Sequence, residues 1–134
     1  MKTKKGLVVQ VNADNYVVEF QENTLKVLQG CVQGLIEPID FGFKPSSAGG
    51  FTMWINEEGK INGSDPNFVA TAFYQRNFVT DDIIFGDVVF TGLPDEDGET
   101  QGLDESLLPM LQHVVQKIID LAPASVLETL SSIK

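Results

Sequence analysis

Two short apolar, β-favouring runs, residues 7–11 and 16–20, open the chain. The turn-forming Asn12-Ala13-Asp14-Asn15 lies between them, so the pair predicts an antiparallel hairpin. Asn23-Thr24 can cap a short helix that places Leu25, Leu28, Cys31 and Val32 on one face, with Gly30 as its weak point. Residues 34–41 read as a strand that contains Pro38. Proline removes a ladder donor, so this strand belongs at a sheet edge or at a bulge. A loop follows over 44–50. Residues 51–56 then alternate cleanly, Phe51, Met53 and Ile55 on one face and Thr52, Trp54 and Asn56 on the other.

Glu57-Glu58-Gly59 reads as a turn in which Gly59 takes a positive φ, and Lys60-Ile61-Asn62 as the start of a return strand. Asn62-Gly63 signals a second turn, and Pro66 a helix start over 66–74 with Phe68, Val69, Ala72 and Phe73 turned inward. Residues 83–85 and 87–91 form an apolar run kinked at Gly86, a strand buried on both faces.

Beyond an acidic loop over 93–102 the period changes. Leu107, Leu111, Val114, Ile118 and Leu121 recur at helical spacing, and Leu108, Val115 and Ile119 widen the stripe. Pro109 fits if Ser106 is the N-cap, because first-turn N–H groups have no intrahelical partner. Ala122-Pro123 ends that helix, and Val126, Leu127, Leu130 and Ile133 mark a last amphipathic segment. The order β-β-α-β-β-α-β-α-α predicts an α+β fold. Its sheet is mostly antiparallel and five-stranded, with helices packed on one face and a C-terminal helical pair. The helical tail either completes the core or offers a surface for homo-oligomerisation.

Composition changes this picture little. At 134 residues and 43% hydrophobic content the chain is one domain, 1–134, with enough apolar material for a core. The charge matters more. Nineteen acidic residues face nine basic ones, for a net −10, and Arg76 is the only arginine. That balance disfavours direct nucleic-acid binding and anionic membranes. Cys31 is alone, so no intrachain disulfide forms. The basic start, Lys2, Lys4 and Lys5, leads into an apolar run broken by Gln10 and Asn12, too short for a secretory signal. No stretch approaches the roughly 20 apolar residues of a membrane helix. The expectation is a soluble cytoplasmic protein.

Three motifs occur in sequence: Gly34-Leu35-Ile36-Glu37, then 56–63 (Asn-Glu-Glu-Gly-Lys-Ile-Asn-Gly) with Pro66-Asn67, then Asp82-Ile83-Ile84-Phe85-Gly86-Asp87. Over residues 6–92 the chain thereby resembles a family of short uncharacterised proteins from bacteriophages, plasmids and mobile elements. The resemblance implies a fold and a setting in a bacterial host, not an activity. It makes residues 103–134 a helical extension, and it suggests a role in phage–host conflict.

The candidate ligand-binding residues are Asn56, Lys60, Asn62, Asn67 and Arg76. Amide side chains read bases or carbonyls, and Lys60 and Arg76 meet anions, which together suggest a nucleotide-like ligand. Turn chemistry competes strongly, because Asn bonds its own backbone and tolerates left-handed φ. His113 falls opposite the apolar stripe and has no positioned partner, so acid–base catalysis has no visible machinery. Cys31 has no paired Cys or His, which leaves no zinc set. Asp95-Glu96-Asp97-Gly98-Glu99 lacks the EF-hand spacing, and residues 45–50 lack the Gly-Lys-[Ser/Thr] end of a phosphate loop. No cofactor, metal or catalytic set is expected. The sequence therefore points to a non-enzymatic accessory protein that binds a host protein or small ligand. The alternatives are a protein that sequesters a nucleotide signal and an acidic, DNA-mimicking decoy.

Overall fold

The computed structural model describes residues 3–41, 50–59, 61–124 and 126. Five strands, β1 (Lys4–Val9), β2 (Asn15–Phe20), β3 (Ile36–Phe41), β4 (Phe51–Asn56) and β5 (Val88–Gly92), form one sheet in the order β2-β1-β5-β4-β3. Every pairing is antiparallel. Among the described residues three helices accompany it, α1 (Thr24–Val32), α2 (Phe68–Asn77) and α3 (Leu107–Asp120). The α+β fold with its antiparallel sheet is the expected one.

β5 is the middle strand, and all five of its residues are buried, as expected of a strand that opens on Val88-Val89-Phe90 and is covered on both faces. Its period-two alternation divides the core. Val88 and Phe90 join Leu7, Val9, Phe51 and Met53 beneath α2 and α3, which add Val69, Phe73, Leu111 and Val115. Val89 joins Val8 on the opposite face, where Leu28 and Val32 of α1 pack beside Trp54. Helices therefore lie on both faces. The single helical face expected from the sequence holds for α2 and α3, but β5 is apolar on both sides, and α1 covers its second face.

The edge position of β3 follows from Pro38. Glu57 N–H donates to the Leu35 carbonyl at 2.9 Å, in register with the β3–β4 ladder. Alternation from that pair makes 37, 39 and 41 the bonded partners of β4. The nitrogen of Pro38 then points away from the sheet, where no donor is missed.

Several elements differ from expectation. Residues 83–85 form no strand: Phe85 makes only an isolated bridge to Pro66. Gly86 takes φ 91°, and its N–H donates to the Asp65 carbonyl at 2.8 Å, so the chain bends there instead of pairing. No return strand follows Gly59, because Ile61 and Asn62 lie in turns. Gly59 is not left-handed either. It is needed because a Cβ there would sit 2.6 Å from the Phe85 carbonyl oxygen, while the positive φ of this segment falls on Gly63, at 80°. α2 begins at Phe68, two residues later than Pro66, because the Asn67 side chain caps it.

α3 starts after Ser106 as expected, which places Pro109 in the first turn. Its buried face is Leu107, Leu111, Val115 and Ile118, with Val114 half-buried and Leu121 exposed. The helix completes the core. Most of the 44–50 loop and residues 127–134, which would carry the second helix of the C-terminal pair, lie outside the described residues.

Candidate functional site

Asn56 ends β4 and is buried. Its Nδ2 donates to the Val32 carbonyl at 3.0 Å and, more weakly, to Gln33 at 3.4 Å, while its Oδ1 accepts Glu58 N–H at 2.8 Å. One amide thus ties the end of α1 to the sheet and shapes the following turn. Gly34 makes room for it, since a Cβ there would lie 2.6 Å from that Nδ2. Asn62 is exposed, and its Oδ1 accepts from Ser64 N–H at 3.2 Å and Ser64 Oγ at 2.7 Å, which holds the turn through Gly63.

Asn67 is fully buried. Its Oδ1 caps α2 by accepting Ala70 N–H at 3.0 Å, and its Nδ2 donates to the carbonyls of Val9 at 3.0 Å and Gly86 at 2.9 Å. Arg76 stands exposed in the last turn of α2. Lys60 lies outside the described residues. Cap and turn geometry accounts for the three amides, and only Asn56 among the described candidates lines the cleft beside them.

That cleft has a volume of about 340 Å³. It lies between the end of the β3–β4 hairpin, the turns after β4, Tyr74 of α2 and the 82–85 segment. Ile39, Ile55, Ile84 and Tyr74 supply apolar surface, and Glu37, Glu57 and Asp82 supply exposed carboxylates. Ile61 and Ile83 extend the apolar lining outward, both as exposed side chains. At the small end of the range for ligand pockets, about 300–1,000 Å³, it suits a side chain or a compact ligand.

Sequence reasoning passed over Glu37, Glu57, Tyr74 and Asp82. One signal was present. Period-two alternation puts Glu37 on the face of Ile39 and Ile55, so an acid stands on the inward face at a sheet edge.

Other candidate groups resolve simply. The Cys31 thiol is pushed up from its ordinary value, first by burial and then by the Asp87 carboxylate, which keeps it a protonated, poor nucleophile at neutral pH. Tyr16 is raised by burial, by Cys31 and by Asp87. His113 is exposed on α3. The acidic loop closes on itself: Asp95 Oδ1 accepts the N–H groups of Asp97 and Glu99, each at 2.9 Å, and its Oδ2 accepts Gln101 Nε2 at 3.2 Å. Among the described residues no three His, Cys, Asp or Glu side chains gather around a metal position. Among them, too, no helix is long and apolar enough to cross a membrane.

Residues 1–118 match a domain family of unknown function, a span that takes in β1 to β5, α1, α2 and α3 as far as Ile118. The chain belongs to DUF3846. The DUF3846 match ends at the last buried residue of α3, so it includes the whole face with which that helix closes the core. No curated protein and no solved structure matches this DUF3846 chain.

Proposed function

We propose that this protein is a non-enzymatic binding protein whose recognition surface is the cleft bounded by Glu37, Glu57 and Asp82. The observation that carries the reading is the combination of apolar lining and exposed carboxylates in one concave site. Such a site favours a cation on an apolar stem, because the stem is desolvated against Ile39, Ile55 and Tyr74 while the charge stays near the carboxylates. A lysine- or arginine-bearing segment of another protein has that chemistry. In the phage or mobile-element setting that the family resemblance suggests, the partner is a host component and the protein an accessory factor.

A sequestered nucleotide fits this cleft less well. Its phosphates would meet carboxylates, and the Asn56 and Asn67 amides are already bonded internally. The acidic-decoy reading shares the electrostatics but spreads them over the whole surface.

The test is a titration of the full chain with labelled peptides carrying Lys or Arg between apolar residues, at several salt concentrations. Peptide binding is expected to weaken with salt. It is also expected to weaken about tenfold or more in a Glu57→Lys, Asp82→Lys double variant. Glu96→Lys, in the distant acidic loop, should change it little. Equal losses from both changes would favour a diffuse decoy. Binding of nucleotides in preference to basic peptides would overturn the reading.

A further inference from the structure

The two edges of the sheet are not equivalent. β3 turns the nitrogen of Pro38 outward and carries Glu37 and Asp40, devices that discourage a further strand. β2, at the other edge, runs Asn15-Tyr16-Val17-Val18-Glu19-Phe20 with no proline and no lysine. Tyr16 and Val17 are 47% and 40% exposed, although both are β-favouring.

The open side of β2 can be read from its hairpin. Gln10 N–H donates to the Asp14 carbonyl at 2.8 Å, in register with the β1–β2 ladder. Alternation from that pair makes Tyr16, Val18 and Phe20 the bonded partners of β1. Asn15, Val17 and Glu19 therefore turn their N–H and C=O groups outward, and among the described residues no other backbone group bonds them.

This outward set is symmetric about Val17. We propose that β2 pairs with β2 of a second copy of this chain, antiparallel and two-fold symmetric, with Val17 facing Val17. In that register each outward residue meets an outward residue: Asn15 faces Glu19, and Glu19 faces Asn15. Two bonds for each of the three facing pairs give about six backbone hydrogen bonds. The side chains agree. Tyr16 meets Val18 on the α1 face, an aromatic against a β-branched residue. The Glu19 carboxylate lies opposite the Asn15 amide, which can donate to it, and not opposite a second carboxylate. A shift of two residues that opposed Glu19 to Glu19 would lose this complementarity. The interface is isologous, as a two-fold dimer requires, and it leaves both clefts free at the β3 ends of the joined sheets.

Sedimentation of the full chain over a wide concentration range tests the pairing. A monomer–dimer equilibrium is expected, tightening with added salt because two chains of net −10 repel each other. Val17→Pro removes an outward N–H without touching the β1 ladder, and Val17→Lys sets two ammonium groups face to face. Each should weaken the dimer about tenfold or more, with the thermal unfolding midpoint of Val17→Lys close to that of the parent. If Val17→Pro fails to fold, Val17→Lys decides. A chain that stays monomeric at every concentration and salt, or a dimer unaffected by Val17→Lys, would overturn the proposal. The second result would place the contact elsewhere, for example on the C-terminal residues.

Discussion

Two asparagines that look alike in the sequence do unlike work. Asn67 is fully buried and uses both its oxygen and its nitrogen, whereas Asn62 is exposed and holds only a local turn. Asn67→Asp keeps the oxygen that caps α2 but turns a carboxylate toward the Val9 and Gly86 carbonyls. Each orphaned buried acceptor costs about 1–3 kcal/mol, so a loss of about 3 kcal/mol is expected in urea unfolding. Asn67→Ala should cost a comparable amount, because it loses the cap as well. Asn62→Ala should stay within about 0.5 kcal/mol of the parent. An Asn67→Ala variant as stable as the parent would show that the buried amide does not hold β1, α2 and the Gly86 bend together. Glycine carries a similar lesson. The motif marks both Gly59 and Gly63 as special, but one is required by a close carbonyl and the other by its φ, a distinction that needs the position of Phe85.

Elements defined by local periodicity were legible: the β1–β2 hairpin, the edge strand with Pro38, and α3 with its broad stripe. The faces of the sheet were not. α1 covers the side opposite α2 because Val89 and Trp54 expose apolar surface there, and that depends on β5 lying between β1 and β4. The cleft was hidden for the same reason. Its walls come from β3, the turns after β4, α2 and the 82–85 segment, which are separated in sequence and meet only in the fold. The end of α1 shows what local signals also miss. Gln33 is its C-cap at φ 61°, a left-handed position that usually goes to glycine. Its side chain is exposed, and the backbone carbonyl that accepts from Asn56 survives substitution. Gln33→Gly should therefore stabilise the protein by about 1 kcal/mol, seen as a higher urea midpoint at unchanged slope. A lower midpoint would mean that the glutamine side chain contributes contacts beyond its backbone conformation.

The electrostatics of the whole molecule respond separately to salt and to alkaline pH. Its acidic surface repels a second copy and attracts cations, so salt should act in opposite directions on β2 pairing and on cleft binding. That contrast separates the two surfaces in one protein. The alkaline response has a different origin, on the α1 face, where Tyr16 and Cys31 lie near Asp87. Burial, the largest cause for both, and the Asp87 charge raise them above their ordinary values of 10.0 and 9.0. The folded chain then holds protons that the unfolded chain releases first. Their contribution to stability is fully present below the unfolded values and is lost as pH rises through the folded ones. Urea midpoints should be level from about pH 7 to 8 and fall above about pH 9. Cys31→Ala should reduce the early part of that fall while lowering the neutral-pH midpoint only slightly, since the side chain is half-buried. Tyr16→Phe should reduce the later part. An unchanged alkaline slope in the double variant would locate the titrating groups away from α1 and its face of the sheet.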